Sequence, residues 1–182
     1  MGVKVKFTYE DYAALPETGP RYQLVEGELV MSLAPNVRHQ RIQMRLSQAL
    51  YSFVALHGLG EILSAPTDVI LSEDDVYQPD ILFISRARSE IVHPEGLRGA
   101  PDLCIEILSA GNRQLDLTVK KKLYALHGVR EYWIVDPDAD TLAVYRLQED
   151  PLKPLRALGA GETLTSDLLP GFALELGPVF AR

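Results

Sequence analysis

One cysteine, Cys104, stands in a chain of 182 residues, so no disulfide can close within it. A lone thiol inside an apolar run is expected to be a small core residue of a protein kept in a reducing compartment. No apolar stretch is long enough to span a bilayer. The opening residues Met1 to Glu10 lack the apolar segment and cleavage site of a signal peptide, which leads to the expectation of a cytoplasmic chain with no membrane partner. Asparagine occurs only at positions 36 and 112, a hint of a heat-adapted source. Cations are in the minority, with 18 Lys and Arg against 25 Asp and Glu and a net charge of -7. That balance counts against a protein that simply coats nucleic acid, because phosphate binding needs clustered positive charge. Repeats, low-complexity tracts and linkers are also missing, and 47% hydrophobic content at this length suits a single domain over 1–182 with a sizeable core.

Within that domain the elements follow from periodicity. Tyr22 to Met31 alternates around Gly27 and predicts a short N-terminal hairpin. From about Val37 to His57, Ile42, Leu46, Leu50 and Phe53 recur at helical spacing, with His39 on the same stripe and Gly58 as the stop. Glu61 to Ser64, Asp68 to Leu71 and Pro79 to Ile84 predict three strands of a meander, with Ser72 to Asp75 as a polar turn and Ser85 to Pro101 as a loop. Leu103 to Leu108 is apolar on both alternating sets except at Glu106, the pattern of a central strand covered on both faces. A second helix is predicted from about Gln114 to His127, closed by Gly128. Glu131 to Asp136 and Thr141 to Leu147 form a hairpin about the turn Pro137 to Asp140. A loop with Pro151 and Pro154 and a short apolar end complete the chain.

Two acids break this pattern. Asp80, in Gln78-Pro79-Asp80-Ile81-Leu82, and Glu106, in Leu103-Cys104-Ile105-Glu106-Ile107, lie in runs that otherwise read as buried strand. A carboxylate taken out of water needs a metal, a cation or hydrogen bonds to offset its lost hydration. On a helical wheel of the second helix, Asp116, Val119, Lys120, Leu123, Tyr124, Leu126 and His127 share the inner half, whereas Lys121 and Lys122 point outward. Lys120 is thus expected to face the core. Arg38, Arg41 and Arg45 follow i, i+3, i+7 spacing on the first helix, and Arg113 joins Lys120, Lys121 and Lys122 in a second basic cluster; each reads either as a nucleic-acid contact or as a solvated face.

The order helix, three strands, helix, strand resembles the core of the PD-(D/E)xK nuclease superfamily, and specifically its Uma-type restriction endonucleases. The resemblance is carried by Gly27-Glu28, His39-Gln40, Gln78-Pro79-Asp80, the block from Ala100 to Ser109, Asp116, Lys120, Tyr124, Gly128-Val129, Glu131 to Pro137 and Pro170-Gly171-Phe172. It implies an α/β fold with a mixed central β-sheet flanked by two helices. It further implies a Mg²⁺- or Mn²⁺-dependent endonuclease acting on DNA, with Asp80 and Glu106 as metal-binding acids, no organic cofactor, and a homodimer. Position 108, where the superfamily pattern places its lysine, is Leu; in the resembled family the lysine lies on the following helix, and Lys120 stands there. Glu28 follows as a candidate extra metal ligand and His39 as a phosphate contact or proton carrier. Tyr124 is expected to pack, with its hydroxyl near a site carboxylate.

Such residues suit phosphodiester hydrolysis, which needs hard oxygen ligands for a divalent ion and a cation where negative charge develops. Blander readings stay open: a buried Glu106–Lys120 ion pair, Asp80 bonding backbone amides at a strand end, His39 as a core residue, and hence a non-catalytic DNA-binding or structural module. Two other motifs fall away. Asp136 to Thr141 lacks the glycine and glutamate of a calcium loop, and Ser109, Asp116 and His127 have no nucleophile elbow around the serine.

Overall fold

The computed structural model describes residues 6–16 and 18–182; Met1 to Val5, half of the opening stretch read above for a leader, lie outside them. Helix α1 (Tyr9–Ala13) begins at a capping box in which Thr8 and Asp11 satisfy each other's backbone N–H groups. The expected hairpin follows as β1 (Arg21–Val25) and β2 (Glu28–Ser32), paired antiparallel. Its turn residues Glu26 and Gly27 both have positive φ, 49° and 79°, the type I′ geometry that matches strand twist and favours glycine.

Helix α2 (Val37–His57) has the predicted bounds. Asn36 caps it by accepting from the His39 N–H at 2.9 Å, and Gly58 ends it in the left-handed region. The buried stripe is His39, Ile42, Leu46, Leu50 and Val54. Val54 takes the place expected for Phe53, because the row of fours continues from Leu50 and leaves Phe53 at its edge.

Strands β3 (Gly60–Ser64), β4 (Val69–Ser72), β5 (Asp75–Tyr77) and β6 (Ile81–Ser85) come next, then a 3₁₀ segment (Arg86–Ile91), β7 (Val92–His93), β8 (Gly96–Arg98) and β9 (Leu103–Ile107). The meander expectation is corrected here. Strand β3 pairs directly with β6, whereas β4 turns back on β5 about Ser72 and Asp75 and joins a different sheet. The predicted loop 85–101 likewise contains β7 and β8. Strands of two or three residues are too short to carry a period-two signal.

After β9 the chain runs through α3 (Arg113–Leu115), a π turn (Asp116–Lys120) and α4 (Lys121–His127), helical throughout, and stops at Gly128 with φ 92°. The predicted helix is therefore present but widened in its middle. Leu126, placed inward by a wheel of constant pitch, is exposed. Strands β10 (Glu131–Asp136) and β11 (Thr141–Arg146) form the predicted hairpin, and β12 (Arg156–Gly159), β13 (Thr163–Ser166), β14 (Leu169–Glu175) and α5 (Leu176–Phe180) follow, in a region where the sequence predicts only a loop and a short apolar end.

The central sheet is mixed, in the order β12-β11-β10-β9-β6-β3, with β9 and β10 parallel and the other neighbours antiparallel. One face carries Leu103, Ile105, Ile107, Trp133 and Val135 against the stripe of α2 and against Leu169, Phe172 and Phe180. The other carries Cys104, Leu108, Tyr132 and Ile134 against Leu123 and Tyr124 of α4. A second sheet, β2-β1-β5-β4-β8-β7, packs on this side through Val25 and Tyr77 and, further along, through Val69 and Leu97 on Leu82 and Ile84. This is the restriction endonuclease-like α/β arrangement, with a second sheet of short strands walling one end of it. Among the described residues no helix is long and apolar enough to cross a membrane.

Candidate active site

Glu106 sits in the middle of β9 on the face turned toward α4, since alternation sends Cys104, Glu106 and Leu108 one way and their neighbours the other. Asp80 is placed by β6, but on the bend just before the strand rather than inside it. The β6–β9 register pairs Ile81 with Ile105, so the residue before Ile81 stands beside Glu106. Asp80 is fixed from several directions. Its Oδ2 accepts from the Ile107 N–H at 2.7 Å and lies 3.2 Å from His39 Nε2. Its backbone carbonyl accepts from Gln43 Nε2 at 2.9 Å and from the Ala65 N–H at 3.1 Å.

The π turn delivers the cation. Lys120 Nζ lies 2.9 Å from Glu106 Oε1 and 2.9 Å from Asp116 Oδ1. Tyr124, one turn on, donates its hydroxyl to the same Glu106 oxygen at 3.0 Å. All of this is dry: Lys120, Asp116 and Glu106 are 1%, 2% and 3% exposed. Lys120 donates a hydrogen bond to Glu106 and is ion-paired at the same distance with Asp116. Tyr132 of β10 holds the turn by donating its hydroxyl to the Asp116 carbonyl at 3.0 Å. π turns inside α-helices occur frequently at functional sites.

The electrostatics follow from burial and crowding. Burial pushes the Glu106 carboxyl up to about 8; Lys120 opposes that rise, and Asp116 and Asp80 add to it. Asp116 is raised for the same reasons, burial first. Burial by itself would lower Lys120, but Glu106 and Asp116 outweigh it and hold the ammonium above the usual lysine range. The site thus carries more carboxylates than its own lysine neutralises.

These groups open onto a cleft of about 270 Å³ between the N-terminal hairpin, the start of α2 and the ends of β6 and β9. His39, Asp80, Glu106, Asp116 and Lys120 all line it. His39 Nδ1 is buried there without a hydrogen-bond partner. Residues not anticipated as site residues complete the wall, among them Arg21, Gln40, Gln43 and Asn112. The only trace of them in the sequence is that Gln40 adjoins His39 and that Gln43 lies one turn further along α2.

Several candidates lie elsewhere. Glu28 shares a hairpin face with Gln23 but sits at the turn end, exposed, and does not reach the cleft. Arg38 bonds the Pro137 carbonyl at 2.9 Å, the Phe180 carbonyl at 3.2 Å and the Asp140 carboxylate. Arg45 bonds the carbonyls of Val179, at 3.0 Å, and Ala181. Both arginines tie α2 to the C-terminal segment instead of facing a ligand. Arg41 is exposed, and Arg113 pairs with Asp136 at 2.6 Å. The expected Arg113–Lys122 cluster is dispersed, since Lys120 points into the core and Lys121 lies over the Tyr145 ring at 4.6 Å.

A divalent cation suits this donor set. Among the described residues no three His, Cys, Asp or Glu side chains are gathered tightly enough to enclose an ion. Mg²⁺, however, commonly takes one or two carboxylates and fills its shell with water and phosphate oxygens. Asp80 and Glu106 supply that number, and the surplus of carboxylates over the one lysine marks an environment that a further positive charge would relieve.

The fold is of the restriction endonuclease-like class. Residues 9–177 match the Uma2 family, described as "Putative restriction endonuclease", and the chain belongs to that family. Among solved structures, it is similar to one described as a putative nuclease belonging to DUF820 from Anabaena variabilis ATCC 29413, with a TM-score of 0.77 and 23% identity over 96% of this chain and 97% of that one. No curated protein matches.

Proposed function

We propose that this protein is a divalent-cation-dependent endonuclease that hydrolyses DNA phosphodiester bonds. The observation that carries the reading is the meeting, in one cleft, of a carboxylate from β9 and one from the bend before β6 with a buried ammonium. Membership of a family described as a restriction endonuclease supports it.

In this reading Asp80 and Glu106 would hold Mg²⁺ or Mn²⁺, which would supply Lewis-acid chemistry there. The chain's own residues set the geometry. Asp80 cannot swing, because the Ile107 amide and His39 grip one of its oxygens. Tyr124 orients Glu106. Lys120, kept protonated by its carboxylate neighbours, stabilises the negative charge that develops on the phosphate or directs the attacking water. Arg21 at the cleft wall and Arg41 on the exposed side of α2 are the cations placed to meet the DNA backbone. Cutting both strands would call for two copies, and a homodimer is proposed on that ground.

One observation favours a second reading. Lys120 is already neutralised by Glu106 and Asp116, as it would be in an inert module that keeps the fold for DNA binding or for structure. Supercoiled plasmid incubated with Mg²⁺ or Mn²⁺ separates the two. The endonuclease nicks it, and Asp80→Ala and Glu106→Ala abolish nicking. Unchanged nicking in both variants, or none under any condition with wild type, would refute the nuclease reading. A parallel panel of RNA and branched DNA tests the substrate, and light scattering tests the dimer.

A further inference from the structure

Lys120 reaches Glu106 from the helix, and its ammonium has a second carboxylate at the same distance. Glu106 belongs to β9 and faces the cleft where the proposed ion binds; Asp116 belongs to the π turn and rides on the same helical segment as the lysine. The two acids therefore differ in what happens to them when a cation enters. Glu106 gives its Oε1 to both Lys120 and Tyr124, and sharing its charge with a divalent ion weakens its hold on the ammonium. A lysine on a flexible four-carbon stem, held by Glu106 alone, would be held more loosely at that moment.

We infer that Asp116 is the positioning residue of the site: it keeps the Lys120 ammonium in the cleft when Glu106 is taken up by a divalent cation, an inference that rests on the nuclease reading. Its geometry fits the task. Asp116 Oδ1 already lies 2.9 Å from Nζ, so the ammonium keeps a carboxylate partner without moving when Glu106 is taken up. The turn that carries Asp116 is anchored from the sheet by the Tyr132 hydroxyl on its carbonyl, so the acid does not drift with the lysine. Asp116 is buried and lines the same cleft. The network has two halves: Glu106 of β9 bonded by Tyr124 of α4, and Asp116 of the π turn with its carbonyl bonded by Tyr132 of β10, with Lys120 between them.

The test follows Lys120 directly. In wild type, the slowly exchanging side-chain ammonium signal of Lys120 in ¹⁵N NMR should survive saturation with Mg²⁺, while the Glu106 carboxyl ¹³C resonance shifts and that of Asp116 follows the ammonium. In Asp116→Asn the signal should be present without Mg²⁺ and disappear on its addition, as the ammonium is released to solvent. Calorimetric titration with Mn²⁺ should leave Asp116→Asn within a few fold of wild type, whereas Asp80→Asn and Glu106→Gln should lose about tenfold or more in affinity. Plasmid nicking by Asp116→Asn should fall by about 10- to 100-fold in kcat with little change in KM, and Asp116→Glu should restore part of it. Loss of the wild-type Lys120 signal on Mg²⁺ addition overturns the inference, with no variant needed. So does its persistence in metal-loaded Asp116→Asn. A wild type that binds neither Mg²⁺ nor Mn²⁺ overturns the nuclease reading together with the inference. A wild type that binds metal and nicks DNA while Asp116→Asn behaves like it overturns the inference alone.

Discussion

Replacing Lys120 by methionine keeps the length and apolar stem of the side chain and removes only the ammonium. Two buried carboxylates, Glu106 and Asp116, then face each other with no cation between them. Breaking a buried pair from one side costs about 3–5 kcal/mol when the remaining charge stays uncompensated. For a chain of this size that corresponds to a fall in Tm of roughly 6–20 °C. The cost depends on pH. Glu106 titrates at about 8 in the folded protein against roughly 4.3 in the unfolded chain, so the folded state binds more protons between those values. The contribution of this group is fully present below the unfolded pKa and is lost as pH rises through the folded one, so stability declines across that window. Removing Lys120 deepens the decline, because the cation that opposed the rise in the Glu106 and Asp116 pKa is gone. At pH 5 Glu106 keeps its proton, and the penalty shrinks toward that of the lost hydrogen bond, about 1 kcal/mol.

Urea unfolding of wild type, Lys120→Met, Glu106→Gln and the double variant at pH 5 and pH 8, without divalent ions, reads this out. Glu106→Gln alone should flatten the pH dependence. The double variant should be more stable at pH 8 than Lys120→Met, since a glutamine still accepts from Tyr124 and carries no charge. A Lys120→Met penalty that is equal at both pH values, or a double variant no more stable than the single, would refute the account of the site as an over-filled acid cluster held by one lysine.

The other predictions concern the frame around the site. Arg38→Ala and Arg45→Ala should each destabilise by about 1–3 kcal/mol, from charge-assisted bonds to the 137–140 turn and the C-terminal segment, and limited proteolysis should show the end of the chain released first. Neither should change the salt dependence of DNA binding, which removal of a phosphate contact would flatten by about one unit of slope. Leu46→Ala, at a fully buried position of the α2 stripe, should cost about 2–5 kcal/mol by denaturant titration and lower metal affinity only in proportion to the fraction unfolded.

What could be read from the chain follows how local each signal is. Helix α2 repeats its apolar residues over 21 positions and is framed by Asn36 and Gly58, so its bounds were legible to the residue. Glu106 and Lys120 were legible because each is a charge inside an otherwise apolar pattern, and such a charge must be compensated nearby. Strand β4 was legible as a strand but not in its sheet, and β5, β7 and β8 were not legible, because their pairing is decided by partners as distant as Leu24 is from Val76 and not by period. Arg38 and Arg45 read as a free basic face because their acceptors, at 137–140 and 179–181, are distant in sequence and mostly backbone carbonyls. The π turn left no mark, since Asp116 and Lys120 share a face at either helical pitch.

That last point bears on the leucine at position 108. Leu108 points to the same side of β9 as Glu106, so a lysine there would reach the acid from two residues along the strand. Here Leu108 packs with Leu123 and Tyr124, and the ammonium arrives from the opposite direction, across the gap between sheet and helix. The chemistry asks for a cation at one point in a dry cleft and does not record which backbone carries it. The surroundings do differ. A strand lysine at 108 would have Glu106 as its same-face neighbour on β9, whereas a helix lysine can have an acid four residues earlier on its own segment. Asp116 is that acid, and the site accordingly holds its lysine by two carboxylates from two elements, which leaves Glu106 free to change partners without losing the cation.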